Sequence, residues 1–207
     1  MSSAAPARLV VLISGQGSNL EAILEACATG ELNARVAAVI SNQTEALGLE
    51  RAQRAGVEAV PLPKLAGQAR RGYDADLANR VAGYAPDWVV LAGWMRLLSS
   101  TFLDRFPGRV LNLHPALPGT FPGTHAIERA FEAYQRGEIT QTGVMVHLVP
   151  DEGVDSGPVL AQSAVLMQPG DDLAALEGRI HAAEHRLLVA TLQQLCKQGL
   201  SQLDFEK

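Results

Sequence analysis

Five short aliphatic runs, RLVVLIS (8–14), RVAAVIS (35–41), VEAVPL (57–62), DWVVLAG (87–93) and RVLNLHP (109–115), recur along the first half of the chain. Each is too continuous for a strand with one wet face, where apolar and polar side chains alternate. Strands of this kind are buried on both faces, which requires a largely parallel sheet with helices above and below. The intervening segments supply those helices. SNLEAILEACATG, EALGLERAQRAG and YDADLANRVAGY carry apolar residues at helical spacing, and the first two stop at Gly30 and Gly56. Two later runs, GVMVHLVP and PVLAQSAVLM, read as a hairpin-like antiparallel addition near the C-terminus. In the closing segment Leu173, Leu176, Ile180, Ala183 and Leu187 are spaced by three and four, a helix packed on the sheet with Asp171 or Asp172 as its cap. The expected fold class is α/β, a three-layer, open, mostly parallel twisted sheet with helices on both faces.

With 207 residues, 47% hydrophobic and 19% charged, the chain holds one sizeable core and is expected to be a single domain spanning 1–207, with flexible tails at 1–7 and about 200–207. The net charge of −5 and the scattering of its lysines, Lys64, Lys197 and Lys207, argue against a nucleic-acid partner. The start, MSSAAPAR, has no charged stretch leading into an apolar one, and no run approaches the ~18 apolar residues of a membrane span. Cys27 and Cys196 form no Cys-x-x-Cys or zinc spacing and read as reduced core thiols, which fits a cytoplasmic protein.

Three stretches carry candidate chemistry. The first turn, ISGQGSNLEAI, sets Gly15, Gln16, Gly17, Ser18 and Asn19 between strand and helix, where glycines admit a ligand and free N–H groups favour a phosphate. A dinucleotide site is disfavoured, because Leu20 replaces the third glycine and the second strand ends VISNQ with no acid for a ribose hydroxyl. No Gly-Lys-Ser/Thr exists for a Walker loop, and a tight turn without a ligand remains open. In VLNLHP, Asn112 and His114 share one face of a strand that Pro115 then ends; either they converge on a site or they form the polar face of an edge strand. In PDEGVDSGP, three carboxylates crowd a Gly/Pro turn, of which Asp155 is the best placed to reach a site, with solvated acids as the alternative. His147 reads equally well as a satisfied core histidine, and His125 is uninformative alone. HAAEH (181–185) has the order of one zinc-binding motif but lacks a plausible downstream ligand, only Asp204 and Glu206 remaining, so no metal is expected; His181 and Glu184 instead face a ligand or solvent.

Taken together, LISGQGSNLEAI, SNQTEALGLERAQRAGV, LAGWMRLLS, RVLNLHPALPGTFPG and VHLVPDEGVDSGPVLAQ resemble the phosphoribosylglycinamide formyltransferases, within the wider formyltetrahydrofolate-using family, from about Arg8 to Leu195. The resemblance implies a Rossmann-like formyltransferase fold and an enzyme of de novo purine (IMP) synthesis. Such an enzyme moves the formyl group of 10-formyltetrahydrofolate, a co-substrate, to glycinamide ribonucleotide without a metal. It further implies a catalytic set of Asn112, His114 and Asp155. Gly17, Ser18 and Asn19 would hold the phosphate and Glu184 the ribose, with Arg70, Leu91, Trp94, Met95, Arg96, Leu97, Leu98, Val110 and Val149 around the folate. The partners implied are these two small molecules, with no nucleic acid or membrane, in a monomer or homodimer. A formyltetrahydrofolate hydrolase, another transferase using the same donor, or a non-catalytic binding module are the competing readings.

Formyl transfer to an amine passes through a tetrahedral intermediate bearing an oxyanion, so donors must already be aimed at it. On this reading the Asn112 amide and a protonated His114 supply them, and Asp155 stabilises the imidazolium and helps move the amine's proton.

Overall fold

The computed structural model describes residues 5–198. Strands β1 (Ala7–Ile13), β2 (Ala34–Ser41), β3 (Glu58–Pro61), β4 (Trp88–Leu91) and β5 (Val110–His114) run parallel. β6 (Gln141–Leu148) lies antiparallel to β5, and β7 (Val159–Leu166) antiparallel to β6. They form one sheet in the order β3-β2-β1-β4-β5-β6-β7, the α/β architecture with an antiparallel addition that the aliphatic runs demand. Ala7 already belongs to β1, so the expected N-terminal tail stops short of it. Residues 1–4 and the expected tail from about 200, with Asp204 and Glu206, lie outside the described residues.

Burial explains the continuous runs. Leu9, Val11 and Ile13 face one layer, where they meet Leu20 and Ile23 of α1 (Ser18–Ala28), Leu49 of α2 (Leu47–Arg54), and Leu188 and Leu192 of α6 (Leu173–Gln198). Val10 and Leu12 face the other, against Tyr73 and Leu77 of α3 (Arg70–Ala82) and Phe102 of α4 (Ser100–Leu103). All five β1 residues are fully buried. Each large aliphatic side chain so placed contributes about 1.5–3 kcal/mol relative to exposure, so neither face tolerates a polar residue without a partner. α5 (Ala126–Gln135), which follows the Pro/Gly-rich loop, packs with β6, β7 and α6 in a third cluster. Cys27 on α1 and Cys196 on α6 lie half-buried against the first layer, and burial pushes each thiol up to about 11. Among the described residues no helix is long and apolar enough to cross a membrane.

The winding positions the site. The chain lays β2 and β3 outward from one side of β1, then returns to the other side as β4. At that reversal the loops leaving β1 and β4 diverge and open a crevice at the carboxyl edge, the place where open α/β sheets bind ligands. Ser14 laces its walls together: its N–H donates to the Gly93 carbonyl at 3.0 Å, and its Oγ accepts from Met95 N–H at 2.8 Å and donates to Asn42 Oδ1 at 2.6 Å.

Of the two candidate caps of α6, Asp172 is the one used: its carboxylate accepts the Ala175 N–H at 2.8 Å. Asp171 instead pairs with Arg179 and accepts the Gln168 N–H at 2.7 Å. Asp172→Ala is expected to remove about 1 kcal/mol and lower Tm by about 2–4 °C in a thermal melt, with ligand binding unchanged.

Candidate active site

β5 is an interior strand between β4 and β6, so the edge-strand reading of its polar residues does not hold. Leu111 and Leu113 enter the core beneath α1 and α6, which turns Asn112 and His114 to the opposite face. Asn112 is registered opposite His147 on β6, and such cross-strand neighbours put their side chains together. The Asn112 Nδ2 lies 3.1 Å from His147 Nε2 and 3.0 Å from Asp155 Oδ1, so both of its N–H groups are engaged. His147 Nδ1 lies 2.8 Å from the Leu148 carbonyl. Only a protonated nitrogen can make that bond, which assigns a proton to Nδ1; Nε2 faces both Asn112 Nδ2 and Asp155 Oδ1, accepting from the first when bare and donating to the second when protonated. His147 is thus both a buried, satisfied histidine and part of the site.

Asp155 is brought in by the loop between β6 and β7. A Cβ on Gly157 would sit 1.9 Å from the Leu148 carbonyl oxygen, so only glycine lets this loop lie so close to β6. The β6–β7 register also shifts between Val146 and His147, a bulge beside the site. Asp155 itself is left-handed, with φ 48°. Its Oδ2 accepts the Gly123 N–H at 2.8 Å and lies 3.3 Å from His114 Nδ1; its Oδ1 lies 3.5 Å from His147 Nε2. Burial works against the ionised carboxylate, but the neighbouring His147 ring, the Gly123 N–H and the charge that His114 carries when protonated outweigh it and hold Asp155 below the usual range. Burial also dominates at His114 and pulls it below the ordinary imidazole value despite the Asp155 carboxylate. The His114 Nε2 lies 3.1 Å from the Phe121 carbonyl, so each ring nitrogen faces an oxygen that would accept its proton. A ring that is neutral at rest is therefore surrounded by what an imidazolium needs.

Beside this cluster opens a cavity of about 360 Å³. Leu91, Trp94, Met95, Arg96, Leu97, Leu98 and Val149 line it, and Asn112, His114, His147 and Asp155 form its polar end. Met95 and Leu97 are 65% and 51% exposed, an apolar mouth left for a flat ligand to cover. Trp94 Nε1 and Arg96 Nε are buried with no hydrogen-bond partner, and the Arg96 guanidinium lies over the Tyr73 ring, 4.9 Å from its centroid. Val110 and Arg70, also expected around the folate, do not line this cavity. Val110 is buried in the core behind the wall, because it starts the strand one turn of pleat deeper than Asn112. Arg70 stands outside the wall, its Nε on the Leu97 carbonyl at 3.2 Å and its Nη1 3.2 Å from Glu152. Asp151 and Glu152 also line the cavity, but Glu152 is spent on Arg70, Arg71 and the Ser100 N–H and Asp151 on the Gly153 N–H, so Asp155 is the loop carboxylate bonded to the Asn112 and His114 cluster.

The first-turn loop lies outside this cavity's wall, on the far side of the crevice. Gly17 caps α1 in a left-handed conformation, φ 74°, with no side chain covering the first-turn N–H groups. A Cβ there would meet Gly48 Cα at 2.7 Å. α2 braces the loop from behind: Gly48 N–H donates to the Gly15 carbonyl at 3.1 Å, Arg51 Nε to the Gln16 carbonyl at 2.9 Å, and Arg51 pairs with Glu21. Asn19 Nδ2 donates to Glu184 Oε2 at 3.4 Å, with His181 Nδ1 3.5 Å from the same oxygen, while Asn19 Oδ1 is buried without a partner. His185 turns instead toward a groove between α1 and α6. Among the described residues no group of three or more His, Cys, Asp or Glu is arranged to hold a metal ion.

A family model described as formyl transferase matches residues 7–192. The chain belongs to the formyl transferase family. It is 48% identical over 202 residues to the phosphoribosylglycinamide formyltransferase of Schizosaccharomyces pombe, covering 91% of this chain and 97% of that one. Its identity to the Escherichia coli K12 protein of the same description is 44%, over 86% of this chain and 82% of that one. The crystal structure of glycinamide ribonucleotide transformylase 1 from Symbiobacterium toebii superposes with a TM-score of 0.88 at 42% identity, covering 95% of this chain and 90% of that one.

Within this formyl transferase domain several residues around the site were not singled out by their own chemistry in the sequence: Ser14, Gly48, Arg51, Phe121, Gly123 and Arg129 hold the loops through bonds to or from backbone groups. Glu184, 5% exposed, was legible, and burial pushes its carboxyl up to about 7 against the Asn19 hydrogen bond. The folded state therefore keeps a proton that the unfolded chain, at 4.5, has released, and stability falls as pH rises from about 4.5 to 7. Glu184→Gln is expected to relieve this at pH 8 by up to about 3 kcal/mol, with little effect at pH 4.5, read by urea denaturation at both pH values.

Proposed function

We propose that this chain transfers the formyl group of 10-formyltetrahydrofolate to the amine of glycinamide ribonucleotide, giving formylglycinamide ribonucleotide and tetrahydrofolate in purine biosynthesis, in the cytoplasm. One observation carries the reading: Asn112, His114 and Asp155 converge at the polar end of an apolar cavity, across the switch-point crevice from a bare helix N-terminus. The cavity fits a flat, largely apolar donor, with Asn112, His114, His147 and Asp155 at its polar end. Gly17, Ser18 and Asn19 receive the phosphate. Glu184 and the orphaned Asn19 Oδ1 accept from the ribose hydroxyls. Arg70, at the rim, meets the anionic tail of the donor once Glu152 yields.

In the reaction the amine nitrogen bonds to the formyl carbon, whose carbonyl electron pair moves to oxygen; collapse then breaks the bond to the folate nitrogen. His114, neutral at rest, takes the proton that the attacking nitrogen sheds, and a proton returns to the leaving folate nitrogen. Once charged, the ring is held by Asp155 on one side and Phe121 on the other. The donors for the oxyanion are occupied at rest. The developing anion is a stronger acceptor than the His147 nitrogen or the Phe121 carbonyl and takes an N–H from one of them, leaving the bonds to Asp155 in place. Both substrates are held together while the closed apolar walls exclude water that would hydrolyse the donor.

The deciding assay follows deformylation of the folate spectrophotometrically with and without glycinamide ribonucleotide. Release that requires the nucleotide is expected; equal release without it identifies a hydrolase, and no release by folded protein rejects both. Asn112→Ala and His114→Ala are each expected to lower kcat by about 10²–10³ with KM values little changed. Asp155→Asn removes the carboxylate that lifts His114, so the acid limb of its residual kcat profile is expected at lower pH than in the parent enzyme, read from kcat between pH 5 and 9.

A further inference from the structure

Arg129, on the first turns of α5, lies behind the active-site loop rather than in it. Its Nη2 donates to the Phe121 carbonyl at 2.8 Å and to the Pro122 carbonyl at 2.6 Å, and its Nε to the His125 carbonyl at 3.3 Å. The guanidinium also stands 6.0 Å from the Phe121 ring centroid. One rigid fork thus collects three carbonyls of a single turn. That turn needs holding, because Phe121 and His125 are both left-handed, with φ 47° and 57°. Each such residue without glycine's freedom costs on the order of 1–3 kcal/mol, and an aromatic residue in this region is uncommon.

The turn in question makes two contacts with the catalytic groups. The carbonyl of Phe121 receives the His114 Nε2 at 3.1 Å, and the N–H of Gly123 donates to Asp155 Oδ2 at 2.8 Å. The same Phe121 oxygen accepts from both His114 and Arg129. We propose that Arg129 is a positioning residue for formyl transfer: by clamping the strained 121–125 turn it sets the orientation of His114 and Asp155 and the readiness of His114 to carry a proton. It touches neither substrate nor reacting atoms. A bidentate planar donor suits this task and a lysine does not, because an ammonium cannot hold three carbonyls in one plane.

The charged and titratable groups facing His114 are Asp155 from the β6–β7 loop, His147 from β6 and Arg129 from α5. Two consequences of removing Arg129 oppose each other there. Loss of its positive charge favours the imidazolium, while release of the Phe121 carbonyl disfavours it. Arg129→Lys separates them, since it keeps the charge and loses the fork.

The inference rests on the formyl-transfer reading, so the experiment has two readouts. Steady-state kinetics of the parent, Arg129→Ala and Arg129→Lys would be measured from pH 5 to 9 in the nucleotide-dependent assay. The His114 ring would be titrated by NMR in the same proteins without substrate. Expected for Arg129→Ala is a kcat about 10–100-fold lower with KM for the ribonucleotide within twofold, the loss being one of alignment. Arg129→Lys should fall between it and the parent in kcat, with His114 titrating lower than in the parent. The proposal is overturned if every variant that folds keeps kcat within twofold and an unmoved His114 titration. It is equally overturned if kcat and both KM values worsen together in step with lost folded protein. A parent enzyme inactive with this nucleotide would overturn the functional reading alone, the NMR comparison still deciding the role of Arg129 toward His114.

Discussion

The Asp155 carboxylate is the interaction on which the site depends. It is held by groups from separate parts of the chain: the Asn112 amide and His114 ring from β5, His147 from β6, and the Gly123 N–H from the loop ahead of α5. Without those partners a half-buried carboxylate would take up a proton or move to solvent. With them it stays ionised, and in staying it fixes the donors around it. The fold supplies the partners through position. β5 offers two side chains from one face, the antiparallel β6 sets a third opposite them, and the β6–β7 loop closes over the group because Gly157 allows contact with the Leu148 carbonyl.

The sheet was readable because its physics is one-dimensional. Leu9 to Ile13 must be apolar throughout if both faces are covered, and that requirement appears directly in the order of residues. The same holds for α6, whose apolar residues recur at helical spacing and whose cap is an acidic residue before the first turn. α4 was not legible, being a four-residue turn that forms between the β4 loop and β5, with its Ser99 N–H bound to the buried Asp74 carboxylate. Such an element follows from tertiary contacts and leaves no periodicity to read.

Asn112 and His114 stood out for a related reason: two large polar residues on one face of a strand must either converge on a site or line an open edge, and the interior position of β5 decides for the first. What the sequence does not display is how those side chains are held. His147 could be placed in the core or in the site, and it is in both, since its Nδ1 is satisfied by its own strand while its Nε2 faces Asn112. Val110 was assigned to the folate wall by resemblance but lies in the core, and Arg70 lies at the rim, because wall membership depends on loop paths that no motif encodes. Gly48 supports the phosphate loop only through the closeness of its backbone to Gly15 and Gly17.

The two sides of the crevice resolve a shared electrostatic difficulty in different ways. On the Asp155 side, a half-buried negative charge is kept by surrounding it with donors, while burial of the neighbouring His114 lowers its proton affinity and leaves the ring neutral. On the Glu184 side the carboxyl has one long hydrogen bond from Asn19, and burial raises it to about 7, so part of the population carries a proton until a ligand arrives. On the proposed reading, ribose hydroxyls donating to that carboxylate would favour its ionised form and release the proton, which would couple ligand binding to a change of charge at the crevice. On that reading Asp155 is ionised before substrate binds, whereas Glu184 reaches its charged state through binding. The difference follows from the number of hydrogen-bond donors each carboxylate meets in the empty fold.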